Sequence, residues 1–490
     1  MRRLSRLPLA AAAVLVLAGC GTTNVNYVTG ESQRGAYSWA QQVQLGAEAD
    51  QQIMAQYGTV DDPELVAYVE RLGQTVLSTS AWGQPETPAE VRNTRFYFRV
   101  LDTPVINAFA LPGGYTYYTR GLLSHLDNEA QLAVVIGHEI GHVLAQHSSE
   151  QAARAQLSQL GVVGAAIIGG VVGGGQVAEG ILNYGGTGAQ LLSLKYGRDA
   201  EREADLAGVA YSEFADYDAS EAAAFFRSLS RIQQQAGGAL PSFLSTHPDP
   251  AEREQSIPQL AAQYEGTRIE QQAFMQQIAG IVMGDNPREG FVENGVFYHP
   301  DLAFRFDIPN GWQTQNSRQA VTIGESNGAA ALQLTLAQGG SAAAAAQAFA
   351  QQQGVQISGS QNVSINGNSA VAFEGQAAQQ QGTIAFRGAF IEYGGNVYQL
   401  LGLTSSTNYR SYVDAFNRTI GSFRTLTDAQ YLSRQPVRLE VVRVDRTAPF
   451  RSFLAGRPDV PGIDANGLAI LNQVELNQTV QAGTYLKLPR

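Results

Sequence analysis

Cysteine is nearly absent: Cys20 is the one cysteine in 490 residues, so no internal disulfide framework exists and core packing or a metal must hold the fold. Charge is also scarce, at 15% of residues, with a net of -11 and a pI near 5.1. That balance excludes an electrostatic grip on nucleic acid, which needs a basic face. Two apolar runs, Leu7–Leu17 and Leu160–Val172, both fall short of the roughly 20 residues that span a bilayer. What the chain does have is 44% hydrophobic residues, enough for folded cores, and a length that suggests about two to four domains.

The first residues read as a secretory leader. Arg2, Arg3 and Arg6 precede the apolar run, and Leu17-Ala18-Gly19-Cys20 closes it with small residues. Leu-Ala-Gly-Cys resembles a bacterial lipobox, which implies cleavage after residue 19, acylation of Cys20 and display from a membrane outside the cytoplasm. Gly21 in place of an aspartate implies the outer membrane. The other reading is an ordinary signal peptide with an incidental cysteine. Losing residues 1–19 removes three arginines and no acid, which takes the net charge from -11 to -14.

Residues 20–35, polar and rich in Gly, Thr and Asn, read as a tether. Amphipathic helices follow over 36–57 and 63–78, the second with Leu65, Tyr68, Val69, Leu72 and Val76 at helical spacing. Residues 95–100 alternate, and Pro104–Thr119, around Pro112-Gly113-Gly114, predicts a hairpin or two short strands. A strong helix is expected over Leu122–Ser148.

That helix contains His138-Glu139-Ile140-Gly141-His142. Two histidines four apart share a helical face, so both imidazoles can meet one ion, and zinc is the natural candidate. Glu139 lies about 100° around the helix, placed to reach a water activated by the metal and act as general base. A third ligand is required, and no cysteine is available for it. In Arg198-Asp199-Ala200-Glu201-Arg202-Glu203-Ala204-Asp205, Glu201 and Asp205 share one face. Glu201 is the expected ligand and Asp205 the expected hydrogen-bond partner of a ligating imidazole. Glu203 points nearly the opposite way and is expected to be a solvated charge. His125, His147 and His299 have no partner spacing, and His147, five from His142, is expected off the ligand face.

Four stretches in order now resemble the HtpX-like and BepA-like gluzincin metallopeptidases: Asn107 to Gly114, His138 to His142, Glu201 to Asp205, and Ser245-Thr246-His247-Pro248 with Arg253. The resemblance spans about residues 36–265. It implies a zincin fold, one zinc per chain on His138, His142 and Glu201, Glu139 as base, and peptide-bond cleavage. It further implies that Asn107, Ala108, Phe109 and Ala110 belong to an edge strand on which an extended substrate adds by main-chain hydrogen bonds. By the same resemblance, His247 either caps the zinc in a resting, self-inhibited state or stabilises the oxyanion during hydrolysis. Arg253 is expected to assist in either arrangement.

The segment 161–188, with eleven glycines and a single charge at Glu179, reads either as a lid or membrane-dipping segment beside the site, or as a buried helical hairpin packed through small residues. Residues 269–289 read as a linker. Beyond it, 290–428 turns strand-rich, with alternation over Gly295–Pro309, Ala330–Leu336, Gly382–Glu392 and Val397–Leu403 and a helix over Ala342–Gln353. Its opening, Phe304 to Trp312, is similar to PsbP-like domains. Residues 434–490 resemble a divergent LysM module through Leu468 to Gln473 and Ala482 to Pro489, which implies binding to peptidoglycan. The other reading is a small cap on the preceding domain.

The expected fold class is therefore α+β: a mainly helical zincin domain with a small sheet over 36–268, a separate α+β domain, and a small LysM-like module. The functional expectation is a zinc endopeptidase of the cell envelope acting on misfolded or misassembled outer-membrane proteins. The alternative is a lipoprotein chaperone or adaptor with hydrolysis latent; a peptidoglycan amidase is a lesser third reading.

Overall fold

The computed structural model describes residues 22–162, 196–235, 243, 246–379 and 382–490. The expected leader 1–19, Cys20, Ser245 and all but the first two residues of segment 161–188 lie outside the described residues. Among the described residues no helix is long and apolar enough to cross a membrane. Helices and sheets are mixed, in the α+β class expected.

The chain opens with a hairpin, β1 Thr22–Val25 and β2 Ser32–Gly35. Residues 22–35 were expected as a tether, yet they are fastened to the body. Tyr27 N donates to Leu144 O at 3.0 Å, and Asn24 and Asn26 are buried. Polar residues that pair with buried carbonyls order a segment whose composition alone reads as loose.

Helix α1, Trp39–Tyr57, starts at a capping box in which the Ser38 hydroxyl and the Gln41 side chain satisfy each other's backbone N–H groups. Helix α2, Pro63–Thr79, starts with Asp62 accepting from Leu65 N and proline in the first turn. Its periodic residues Leu65, Tyr68, Val69, Leu72 and Val76 are all buried, as their spacing predicts. Strands β3 Tyr97–Leu101, β4 Ala108–Leu111 and β5 Tyr115–Thr119 form a sheet in the order β3-β5-β4. Strand β5 runs parallel to β3 and antiparallel to β4, which leaves β4 at an edge. The β4–β5 turn needs its glycines: Gly113 and Gly114 have φ of +78° and +97°, and a Cβ on Gly113 would lie 2.4 Å from Val43 Cα.

The single helix expected over 122–148 is three: α3 Arg120–His125, α4 Glu129–Leu144 and α5 His147–Val162. Asn128, extended, restarts the helix by accepting from Gln131 N. Gln146 ends it at φ +58°, a strained geometry held because its side chain is anchored. Its Nε2 donates to Val25 O at 2.7 Å, and its Oε1 accepts from Gln42 Nε2 at 2.6 Å.

Helices α6 Arg198–Phe214, α7 Ala222–Gln235, α8 Pro250–Ala261 and α9 Gln271–Ile278 complete this unit. The last falls in the stretch expected as a linker, and Phe274, Met275, Ile278, Ile281 and Met283 are buried in the main core. Apolar residues three and four apart there make a short packed helix.

The second domain holds a four-stranded sheet, ordered β16 Arg424–Thr425, β8 Phe304–Asp307, β7 Val296–His299 and β6 Phe291–Glu293, and a seven-stranded one, ordered β12 Val355–Ile365, β13 Asn368–Gln379, β14 Gly382–Tyr393, β15 Asn396–Ser405, β11 Ala330–Leu336, β10 Ala320–Gly324 and β9 Gln313–Asn316. These strands, β6 to β16, run from Phe291 to Thr425. Helix α10 Ala342–Ala350 covers one face of the larger sheet, with Phe349 against Phe373, Phe386 and Phe390. Helix α11 Tyr409–Ser422 covers the other through Phe416 and Ile420.

In the last segment, β17 Leu439–Arg443 pairs antiparallel with β18 Tyr485–Pro489, and α12 Ala465–Leu471 lies between them in sequence. Leu439, Phe450, Leu468, Leu471, Leu486 and Leu488 join the same core as Leu132 and Leu144 of α4. The segment caps the helical unit rather than the preceding domain, because its apolar face has its complement there.

Candidate metal centre

Helices α4 and α6 bring the site together, and they do so by crossing closely. A Cβ on Gly137 would sit 2.9 Å from Gly208 O, and one on Gly208 would sit 2.9 Å from Val134 O and 3.1 Å from His138 N. Only a seam of small residues lets two backbones approach in this way. The approach carries Glu201, one turn into α6, to His138 and His142 on α4.

His138, His142, Glu201 and His247 are all buried, and each offers one ligand atom within 4.8 Å of the others. The two imidazole Nε2 atoms are 3.0 Å apart. Glu201 Oε2 lies 3.6 Å from His138 Nε2, and its Oε1 3.4 Å from His142 Nε2. Nitrogen and carboxylate donors converging in a dry pocket suit a divalent ion of the zinc type.

Burial keeps both histidines well below the usual imidazole pKa, hence neutral and fit to ligate. Burial also opposes charge on Glu201, yet the neighbouring His247 and His142 outweigh it and hold the carboxyl well below its usual range. His247 moves the other way: burial disfavours its charge, but Glu201 and Glu139 raise its pKa.

Glu139 is fully buried, and neither of its carboxylate oxygens has a hydrogen-bond partner. Burial pushes its pKa up to about 7, with His247 acting against the rise. The His247 ring stands in front of it, Nε2 lying 3.6 Å from Glu139 Oε1 and 3.3 Å from Ala108 O. On the other side, His247 Nδ1 is 3.1 Å from Glu201 Oε2 and 3.2 Å from His138 Nε2.

Asp205 reaches the ring from behind, with Oδ1 2.9 Å from His138 Nδ1. Arg253 donates through Nη2 to that same Asp205 oxygen and stacks over Phe226 at 4.2 Å, so it braces the carboxylate behind the ligand. Just before β4, Asn107 is buried: its N–H donates to Thr119 Oγ1 and its carbonyl accepts from Thr119 N, each at 3.1 Å. Phe109 stacks on Tyr117 at 4.6 Å. Ala108 and Ala110 are buried, with their side chains on the opposite face from Phe109. A Phe243 N–H donates to Ile106 O at 3.1 Å. The segment carrying Phe243 and His247 therefore lies along the start of this edge.

Three neighbours escaped sequence reasoning. His147 was expected off the ligand face, but the helix break at Gln146 turns it back, so its Nδ1 lies 2.8 Å from His142 Nδ1. Glu203 was expected to be a solvated charge; instead it is partly buried, 3.8 Å from His147 Nε2 and 2.5 Å from Asn26 Nδ2. Burial alone would raise its pKa, and the neighbouring His147 imidazole and the hydrogen bond from Asn26 lower it. Tyr196 stacks on the His142 ring at 4.1 Å, its hydroxyl 2.8 Å from Ser148 Oγ. Only the left-handed turn before His147 could have signalled the first, and a glutamine does not advertise such a turn.

The chain shares its central part with characterised proteins. Residues 63–261 match peptidase family M48. The beta-barrel assembly-enhancing protease of Escherichia coli is 28% identical over 228 residues, 46% of this chain and 44% of that protein. Mitochondrial metalloendopeptidase OMA1 of Schizosaccharomyces pombe is 29% identical over 216 residues, 44% of this chain and 59% of that one. In Arabidopsis thaliana the protein of the same name is 32% identical over 173 residues, 35% and 32% of the two chains. The chain thus spans less than two thirds of the length of each. Among solved structures, cyanobacterial PsbP from Synechocystis sp. PCC 6803 overlays on 26% of this chain and 91% of its own, at 14% identity and a TM-score of 0.23. The stretch that matches peptidase family M48, residues 63–261, is the one that brings His138, His142 and Glu201 together beside Glu139.

Proposed function

We propose that the chain is a zinc-dependent endopeptidase of the bacterial cell envelope, lipid-anchored through Cys20 at the periplasmic face of the outer membrane, where it hydrolyses misfolded or misassembled envelope proteins. The observation that carries the reading is Glu139, a buried carboxylate with no hydrogen-bond partner on either oxygen, beside a ready ligand set. Leaving such a group unpaired costs stability and has no structural return, so it belongs to chemistry. The names of the bacterial relatives, beta-barrel assembly-enhancing proteases, support the substrate class.

His138, His142 and Glu201 would hold the zinc, which when bound lowers the pKa of a water and polarises a carbonyl. Glu139 takes the proton of the attacking water and passes it to the leaving amine. Asp205 orients His138, and Arg253 braces Asp205. The edge of β4 receives the substrate as an added strand once the segment carrying His247 withdraws from Ala108 O. Desolvation around Glu139 keeps it a base of the right strength near neutral pH.

A second reading, a chaperone or adaptor with hydrolysis latent, draws on one observation: His247 contacts Glu201, His138 and Ala108 O together, so ligand and edge strand are both covered. Glycan recognition by the LysM-like segment 434–490 is part of the same proposal for an envelope setting.

The test compares the chain with its Glu139→Gln form on an unfolded substrate such as reduced casein, assaying bound zinc in both. About one zinc per chain in each, with cleavage by the parent alone, is the expected result. Full zinc with no cleavage by either would favour the latent reading, and no zinc would overturn the site.

A further inference from the structure

A histidine that ligates through Nε2 carries its proton on Nδ1, and that proton needs an acceptor to fix the tautomer and the ring. For His138 the acceptor is Asp205 Oδ1 at 2.9 Å. For His142 the group facing Nδ1, at 2.8 Å, is the Nδ1 of a second imidazole, His147. Two ring nitrogens at that distance share one proton. With His142 in its ligating tautomer, His147 Nδ1 must be the acceptor, so the proton of His147 sits on Nε2. That atom faces Glu203 Oε2 at 3.8 Å.

The chain of contacts does not stop at Glu203. Its Oε1 accepts from Asn26 Nδ2 at 2.5 Å, while Asn26 Oδ1 accepts from Val28 N at 2.9 Å and Thr29 N at 3.2 Å. Asn26 lies in the loop of the N-terminal hairpin, which is tied to the end of α4 at several points. Gln33 Nε2 donates to Ala145 O at 2.5 Å, and Gln146 Nε2 donates to Val25 O at 2.7 Å. His147 and Asn26 are both nine-tenths or more buried. A largely buried file of three polar side chains, Asn26, Glu203 and His147, that ends on a ligand is costly unless its members are satisfied.

We infer that His147 and Glu203 are positioning residues of the metal centre, that they hold His142 in its ligating tautomer, and that the hairpin 22–35 is the outer end of this file through Asn26. The inference rests on the assignment of His138, His142 and Glu201 as ligands. It makes the segment that follows the acylation signal a component of the metal site rather than a spacer.

The test is a zinc titration against a chromophoric chelator, with the visible spectrum of the cobalt-substituted protein, on the full chain in detergent. His147→Phe, which has no acceptor, is expected to weaken zinc binding about 10- to 100-fold and to shift the cobalt bands. His147→Gln, which returns an acceptor, is expected to recover most of the loss, and Asn26→Ala to weaken binding by a smaller factor. Parent-like zinc affinity in folded His147→Phe would overturn the inference. Should that variant not fold, Glu203→Leu and Asn26→Ala decide: parent-like affinity in both overturns it, weakened affinity in either supports it. A parent that binds no zinc would instead overturn the ligand assignment, which the His147 series would not by itself do.

Discussion

Lys487 Nζ is fully buried and lies 2.6 Å from Asp127 Oδ1, just ahead of the helix that carries His138 and His142. The same ammonium donates to Leu126 O at 2.8 Å. Burial lowers the lysine pKa and Asp127 opposes the fall. A charge of this kind is tolerated only while its partner is present, so the C-terminal segment and the start of the ligand helix are fastened by a contact that resists halving. Asp127→Ala is expected to destabilise the protein by about 2–4 kcal/mol, read as a lower denaturant midpoint, whereas Lys487→Met is expected to cost less. Equal losses in the two would remove the argument from an uncompensated charge.

The seam between α4 and α6 predicts a second effect. A methyl on Gly208 meets Val134 O at 2.9 Å and His138 N at 3.1 Å, both backbone atoms that cannot swing aside. Gly208→Ala is expected to cost about 1–3 kcal/mol of stability through overpacking, and to weaken zinc binding as Glu201 moves away from His138. Thermal unfolding and a zinc titration on the same sample check both halves. A stable variant with normal zinc would mean that the crossing has slack.

Acid should weaken the fold through His125. Burial lowers its pKa to about 4; Gly121 O, accepting from Nδ1 at 2.7 Å, resists the shift and Lys487 adds to it. Between that value and an unfolded value near 6.5, the unfolded chain binds more protons than the folded one. The contribution is complete above about pH 6.5, falls as pH drops, and is gone below about 4, with a ceiling near 3 kcal/mol. His125→Gln is expected to flatten the slope of urea stability across that window, and an unchanged slope would assign the acid sensitivity to other groups.

His247 predicts a change in rate. If the ring caps the ligands and Ala108 O at rest, only the fraction of molecules that has released it can bind substrate. His247→Ala is then expected to raise casein cleavage roughly tenfold, equivalent to about 1.4 kcal/mol of cap. A fall in cleavage with zinc still bound would assign the ring to oxyanion stabilisation instead.

Much of the site was legible because its chemistry is local. The four-residue spacing of His138 and His142, and again of Glu201 and Asp205, places each pair on one helical face whatever surrounds it. Pro112-Gly113-Gly114 announces a tight turn and so the hairpin around it, and the periodicity of α2 gives its buried face directly. Tertiary structure decided what local rules do not reach. His147 returns to His142 because Gln146, anchored by Val25 and Gln42, turns the chain left-handed, and Glu203 is covered because Asn26 comes from far upstream to meet it. The N-terminal hairpin, the helix 271–278 and the C-terminal cap each read as loose or separate segments, yet their apolar and polar faces are completed by residues of the helical unit. Helical spacing is a property of one element, whereas burial and hydrogen-bond partnership belong to pairs of elements. Sequence therefore named the candidate ligands and the candidate base, and only packing could name what holds them.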